Sequence, residues 1–184
     1  MTELTQAAAC AALRDDVDFM RGLPAESLHA RSGPGELTLL MLAAGAGSEQ
    51  VVRYLLGAQV PLDAKSRGGE TALIWAAARR RARVVRLLLE AGARVDVQDA
   101  WGCTALIRAL GGSGNEAELE DVVRALVDAG ADPFVQDYSG RTAFSAARRK
   151  TTDWRVPCLG WDILIHYPVR RRRIIRILKG ARVR

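Results

Sequence analysis

Residues 69–92, which read GETALIWAAARRRARVVRLLLEAG, decide the fold because their pattern recurs along the chain. Thr38, Thr71 and Thr104 open similar segments at a constant step of 33 residues, and Thr142 opens another segment 38 residues after Thr104. A fixed period of about 20 to 50 residues is the signature of a stacked repeat array. We therefore expect a single domain of similar units in which each unit packs on its neighbours.

The composition suits a packed domain of short helices. Of the 184 residues, 49% are hydrophobic and 26% are charged, which is enough to bury a core. Few residues are aromatic, and Ala, Leu, Val and Arg are frequent, which favours helices over a β-sandwich. Apolar runs fall short of the roughly 20 residues that span a bilayer, and the first residues lack the basic start and apolar segment of a secretory signal.

The positive charge is concentrated at the C-terminal end. Residues 170–184 contain seven Arg and one Lys without any acid, a charge of +8. Because the net charge of the whole chain is +6, residues 1–169 sum to −2. The basic character therefore belongs to the last 15 residues and not to the body of the chain.

Each unit is expected to contain two helices. In the best copy, Ala76 and Ala77 allow close approach of neighbouring first helices, and Val84, Val85 and Leu88 form the buried stripe of the second helix. The repeat predicts one domain over residues 1–184, divided into an N-terminal cap at 1–34 and units at 35–67, 68–100, 101–138 and 139–184.

Two units carry extra residues. The fourth unit gains five residues around 111–115, which we assign to the loop between its helices because loops accept insertions more easily than packed helices. The last unit is split by an insertion at about 150–169. Its second helix is expected to follow, because the apolar positions Ile174, Ile175 and Leu178 match the buried stripe of the earlier units.

The repeated motif resembles the ankyrin repeat. The resemblance rests on Thr-Ala-Leu-Ile, the alanine pair, the Val-Val-Arg-Leu-Leu-Leu-Glu-Ala-Gly-Ala run, and glycines at fixed places: Gly69, Gly102 and Gly140 before the threonine, and Gly92 and Gly130 after the second helix. Gln59 occupies the place of this last glycine in the second unit, where the helix C-terminus needs a left-handed residue, so the sequence leaves the form of that turn open. The resemblance implies an all-α, ankyrin-type helical repeat solenoid with short β-turn fingers. It also implies protein binding by the finger tips and the concave face of the first helices, and no catalysis.

Four residues are the candidate partner-binding residues. In register with the family, Trp101 and Tyr138 fall at finger tips, and Trp75 and Arg108 fall on the concave face beside each other. Tryptophan, tyrosine and arginine are typical interface anchors. The alternatives are that Trp101 folds back onto the neighbouring finger, and that Trp75 and Arg108 only stack on each other.

The arginine clusters allow more than one interpretation. Residues 79–86 contain five arginines, which we expect to form a solvated face. The basic patch near the C-terminus is expected to form a polar cap on the last unit, an import or nucleic-acid-binding signal, or a membrane-surface helix. This patch comprises Arg170, Arg171, Arg172, Arg173 and Arg176.

The sequence thus predicts a non-catalytic protein–protein interaction module, an adaptor or scaffold. The alternative is a nucleic-acid or anionic-membrane binder that uses the basic C-terminal segment. No catalytic, metal-binding or cofactor-binding motif is recognisable, and we expect no cofactor and a monomer. Three widely spaced cysteines indicate a reducing compartment, the cytoplasm or the nucleus.

Overall fold

The computed structural model describes residues 3–112, 116–148 and 171–181. Within these ranges the chain folds into successive pairs of α-helices, with a 3-10 helix at Ala25–His29 and two short strands, β1 (Arg31–Ser32) and β2 (Leu37–Thr38). The pairs are α1 (Glu3–Arg14) and α2 (Val17–Arg21), α3 (Leu39–Ala46) and α4 (Glu49–Gly57), α5 (Ala72–Ala78) and α6 (Ala82–Glu90), α7 (Ala105–Gly111) and α8 (Glu116–Asp128), and α9 (Ala143–Arg148) and α10 (Arg171–Gly180).

The helices pack in two layers. The first helices of the pairs contact one another in the order α1, α3, α5, α7, α9, and the second helices in the order α2, α4, α6, α8, α10. Small residues such as Ala76 and Ala77 are fully buried in the first layer, and Val84, Val85 and Leu88 are buried in the second. This arrangement confirms the predicted all-α repeat architecture.

The recurring threonine has a direct structural role at the start of each first helix. The Thr71 side chain accepts a hydrogen bond from the Ile74 amide, and the Thr104 side chain accepts one from the Ile107 amide, each at 3.4 Å. Thr38 and Thr142 form the same contact. Because the first amides of a helix lack intrahelical partners, a threonine N-cap fixes where each first helix begins.

The turn after α4 has the same form as its counterparts although Gln59 replaces the glycine. Gly92 and Gly130 have φ angles of 88° and 92°, and Gln59 adopts the same left-handed region with a φ of 55°. The amide of the following Val60 donates to the Leu55 carbonyl, as Ala93 does to Leu88. A polar side chain in this region costs about 1 kcal/mol relative to glycine, which the closed turn tolerates.

The extra residues of the fourth unit lie mainly in a helix, and the assignment of all five to the loop was wrong. Three residues separate α5 from α6, and four separate α7 from α8. Helix α8 has 13 residues, whereas α6 has nine. Its added turn starts with Glu116, Ala117 and Glu118, which combine high helix propensity with negative charge at a helix N-terminus.

The chain ends have their own features. In α2, which has only five residues, Met20 is fully buried and Phe19 is 40% exposed. At the other end, α10 packs against α8 and α9, with Ile174 and Leu178 buried. The insertion at about 150–169 lies outside the described residues. Within the described ranges, none of the helices combines the length and apolar character that a bilayer crossing requires.

Candidate protein-binding surface

Four fingers project between the helix pairs. The first is the hairpin of β1 and β2, and the others are finger 2 (residues 66–70), finger 3 (residues 99–103) and finger 4 (residues 137–141). Consecutive fingers are hydrogen-bonded through the backbone: the Ala100 amide donates to the Gly68 carbonyl at 2.9 Å, and the Tyr138 amide donates to the Trp101 carbonyl at 3.1 Å. The fingers therefore form a continuous row.

A buried oxygen at the first residue of each of fingers 2 to 4 closes its turn. The Asp99 carboxylate accepts hydrogen bonds from the Trp101 and Cys103 amides at 2.9 and 3.0 Å. Asp137 does the same in finger 4, and the Ser66 hydroxyl does so in finger 2. The finger tips are consequently held by side chains inside the turn and not only by neighbouring fingers.

Side chains also connect one finger to the next. The Arg31 guanidinium donates to the Lys65 carbonyl at 2.8 Å, the Lys65 ammonium donates to the Gln98 carbonyl at 3.3 Å, and the Gln98 amide donates to the Gln136 carbonyl at 2.9 Å. Lys65 and Gln98 each come one residue before the residue whose oxygen closes the turn, and Arg31 lies in β1. This series of contacts runs along the whole row of fingers.

Asp99 links the tip of finger 3 to the first-helix layer. Besides its backbone contacts, its carboxylate accepts a hydrogen bond from Arg108 Nε at 2.6 Å. Arg108 Nη2 is also 2.6 Å from Oδ2 but makes no hydrogen bond among the described residues. Burial lowers the pKa of Arg108, but the hydrogen bond and the charge of Asp99 outweigh it and raise the pKa above its ordinary value. Arg108 therefore remains charged although its side chain is only 17% exposed.

The Trp101 ring lies under this arginine. The Arg108 Cζ atom is 4.9 Å from the ring centroid, and the ring edge lies next to Gly68 of finger 2. Trp101 thus leans towards the neighbouring finger yet remains 41% exposed. An arginine over an indole face is a favourable contact, so the ring is held in position while part of its surface stays free.

Trp75 has the same position on α5 that Arg108 has on α7, four residues after the capping threonine. Its ring packs against Gly45 of α3, and the Arg79 Cζ atom lies 5.7 Å from its centroid. The Trp75 Nε1 atom is buried and makes no hydrogen bond among the described residues. In place of the alternative in which Trp75 and Arg108 stack on each other, the structure has separate pairs, Trp75 with Arg79 and Arg108 with Trp101.

The two pairs lie along one surface. Helices α5 and α7 are in contact, so equivalent positions on them are neighbours, and Trp101 reaches finger 2, whose exposed tip carries Arg67. We call this surface the tryptophan–arginine strip, and it consists of Arg67, Trp101, Arg108, Trp75 and Arg79.

Comparison with protein families agrees with this geometry. A family model described as ankyrin repeats (3 copies) matches residues 8–99, and one described as ankyrin repeat matches residues 101–138. The chain belongs to the ankyrin repeat family. Ankyrin repeats generally mediate protein–protein interactions, and the family is typically non-catalytic. A search of curated proteins finds no match to the chain.

Tyr138 extends the surface onto finger 4 of the ankyrin array. It is 78% exposed, and its ring packs over Gly102, whose φ of 75° and missing side chain make the close approach possible. Beneath it, burial raises the pKa of Asp137, but hydrogen bonds from Arg141 and Ser139 outweigh this and hold the pKa below its ordinary value. An ionised Asp137 closes the turn that carries Tyr138.

Sequence analysis did not identify Asp99 or Arg80 as important residues. Arg80 is only 3% exposed, so the expected solvated face at residues 79–86 was wrong for this residue. Its Nη2 and Nε atoms donate to the Gly112 and Ala109 carbonyls, at 2.8 and 3.4 Å. The last carbonyls of a helix lack intrahelical partners and carry partial negative charge, which the guanidinium satisfies at the end of α7. The only signal in the sequence is its place in the turn, where Gly47 stands in the preceding ankyrin unit.

Part of the basic C-terminal patch lies within the described residues. Arg170 lies outside the described residues, and Arg171 and Arg172 begin α10. Arg173 lies 3.8 Å from Glu120 of α8 with its side chain 78% exposed, and Arg176 is exposed. At least one residue of this patch therefore forms an ion pair with the preceding helix pair.

Proposed function

We propose that this protein is a non-catalytic protein-binding module, an adaptor or scaffold, that holds its partner against the tryptophan–arginine strip and finger 4. The observation that carries the proposal is the exposure of Trp101 and Tyr138, at 41% and 78%, on adjacent fingers held rigid by internal hydrogen bonds. Large rings that are exposed but fixed lose little conformational entropy on binding and are frequent hot spots.

A catalytic role has little support from the buried cysteine. Burial raises the pKa of the Cys103 thiol to about 11, so this thiol is protonated near neutral pH and is a poor nucleophile.

We further propose that the protein acts as a monomer in the cytoplasm or the nucleus. The support is the free state of Cys10 and Cys103, which suits a reducing compartment.

The proposal is tested by affinity capture from a cell extract. The wild-type chain is compared with Trp101→Ala/Tyr138→Ala, and with Leu13→Ala/Phe19→Ala as a control that removes two exposed apolar side chains from the first unit. We expect a set of proteins captured by the wild type and the control and lost from the finger variant, with thermal unfolding showing that all three chains are folded.

Two outcomes would contradict the proposal. Equal capture by all three chains would show that the fingers do not bind. Capture that persists in the finger variant and weakens steeply with salt would favour the alternative, a nucleic-acid or anionic-membrane binder that uses the basic segment with Arg173 and Arg176. Direct binding to a single-stranded oligonucleotide and to phosphatidylserine vesicles then separates those two classes.

A further inference from the structure

The charges of the tryptophan–arginine strip are unevenly compensated. Arg108, at its centre, is neutralised by Asp99 at 2.6 Å. Arg67 and Arg79, at its two ends, are exposed, and neither forms an ion pair within the described part of the chain. The strip therefore has a free positive charge at each end and tryptophan rings between them.

Nearby acids offset these charges only in part. Glu70 is half-buried, its carboxylate accepts a hydrogen bond from the Ser66 hydroxyl at 3.1 Å, and its negative charge acts on Arg108. On the first finger, Glu36 lies 3.9 Å from Arg31. The adjacent Lys65 is exposed and adds a further positive charge. The exposed charge that a partner meets along this surface is consequently positive.

A nucleic acid fits the strip less well than a protein does. Bases bind such surfaces by stacking on open aromatic faces. One face of Trp101 is covered by Arg108, at 4.9 Å, and one face of Trp75 by Arg79, at 5.7 Å.

We propose that the strip binds an extended acidic segment of a partner protein. An apolar side chain of that segment packs on the exposed part of Trp101, and its carboxylates lie at Arg67 and Arg79. This inference rests on the proposed function, because it names the chemistry of the partner that the same surface holds. Charge complementarity at the two ends then fixes the position of the segment along the strip.

The test uses random peptides, so the natural partner need not be identified first. A displayed library of random-sequence peptides is selected on the immobilised full chain, and a selected peptide is then titrated against variants in solution. The variants are Trp101→Ala, the charge reversal Arg67→Glu/Arg79→Glu, and Arg53→Glu/Arg86→Glu, which makes the same charge change at exposed residues of α4 and α6. Thermal unfolding verifies that each variant is folded.

We expect Asp and Glu to be enriched in the selected peptides. Reversal of Arg67 and Arg79 should weaken binding by about tenfold or more, whereas reversal of Arg53 and Arg86 should change it by about twofold at most. Added salt should weaken binding to the wild type and should have less effect on the charge-reversed strip.

The outcomes separate this inference from the proposed function. If the peptides depend on Trp101 but show no acidic enrichment, or are insensitive to Arg67→Glu/Arg79→Glu, the acidic partner is wrong and the binding surface stands. If no selected peptide depends on Trp101, both proposals fail. A single-stranded oligodeoxythymidine that binds the wild type more tightly than the best peptide, and is lost in Trp101→Ala, would replace the acidic segment by a nucleic acid.

Discussion

Arginines lie in two different environments in two adjoining regions of this protein. In the loop between α5 and α6, Arg80 is 3% exposed and satisfies carbonyls at the end of α7, and the Arg81 Nε atom lies 3.3 Å from the Gly45 carbonyl of α3. In the tryptophan–arginine strip, Arg79 lies over a tryptophan ring and is exposed. Two residues adjacent in sequence thus have opposite surroundings, and only the exposed one belongs to the surface that we propose for binding.

The largest effect on stability is expected when the Arg80 side chain is removed. We expect Arg80→Ala to lower the free energy of unfolding by about 2–4 kcal/mol, because it leaves buried carbonyls at the end of α7 without their donor. Arg80→Gly should cost about 1 kcal/mol less, since glycine relieves the φ of 56° at this position. Urea denaturation measures both.

The control for Arg80 is Arg83→Ala, since the Arg83 side chain is 79% exposed and 3.4 Å from Glu49. We expect this substitution to change stability by less than about 0.5 kcal/mol. Equal losses of unfolding free energy in Arg80→Ala and Arg83→Ala would show that the buried hydrogen bonds of Arg80 do not stabilise the protein more than an exposed ion pair does.

The repeat pattern predicted the architecture well because its information is local. The period placed Trp75, Trp101, Arg108 and Tyr138 on the first helices and finger tips, since the register of each unit is set by its capping threonine. The same alignment predicted the helix that the structure has at Arg171–Gly180.

The contacts between side chains could not be predicted in this way. Whether Arg108 meets Trp75 or Trp101 depends on rotamers and on Asp99, nine residues earlier, which holds the guanidinium. The burial of Arg80 depends on where the end of the next first helix lies, a distance across units that a charge run does not encode. Binding itself stays a prediction at all four residues.

A smaller effect is expected at the pair that joins the two regions, Asp99 and Arg108. Asp99→Ser imitates Ser66 of finger 2, which closes its turn without an arginine. It keeps an oxygen for the backbone amides and removes the ion pair. In a double-mutant cycle with Arg108→Leu we expect a coupling energy of about 1–2 kcal/mol. A coupling near zero would mean that Arg108 does not fix finger 3.

Lowering the pH should change the contributions of two aspartates to the free energy of unfolding with opposite signs. Asp137 lies in finger 4, and Asp96 lies between α6 and finger 3. Because the pKa of Asp137 is below its ordinary value, its contribution to stability is complete above that value and is lost as the pH falls through the lowered folded pKa. We expect the stability difference between the wild type and Asp137→Asn to shrink over this range, as measured by urea denaturation at a series of pH values.

Asp96 provides the matched case for Asp137. Burial raises its pKa, helped by the charge of Asp132, although the Asp132 amide lowers it. Its protonation as the pH falls through this raised value therefore favours the folded state, so the wild type should gain stability relative to Asp96→Asn. A stability change of the same sign for Asp137→Asn and Asp96→Asn as the pH falls would contradict the opposite pKa shifts of these two carboxylates.

The smallest expected effect on stability is that of Arg79→Ala. This side chain is exposed and lies over the face of the Trp75 ring. Its loss should therefore lower the free energy of unfolding by about 0.5 kcal/mol or less. The same substitution should weaken the binding of a selected acidic peptide. If Arg79→Ala destabilises the protein as much as Arg80→Ala does, the two arginines share one structural role and the strip loses one of its two free charges. A small loss of stability together with weaker binding is the combination that assigns Arg79 to recognition.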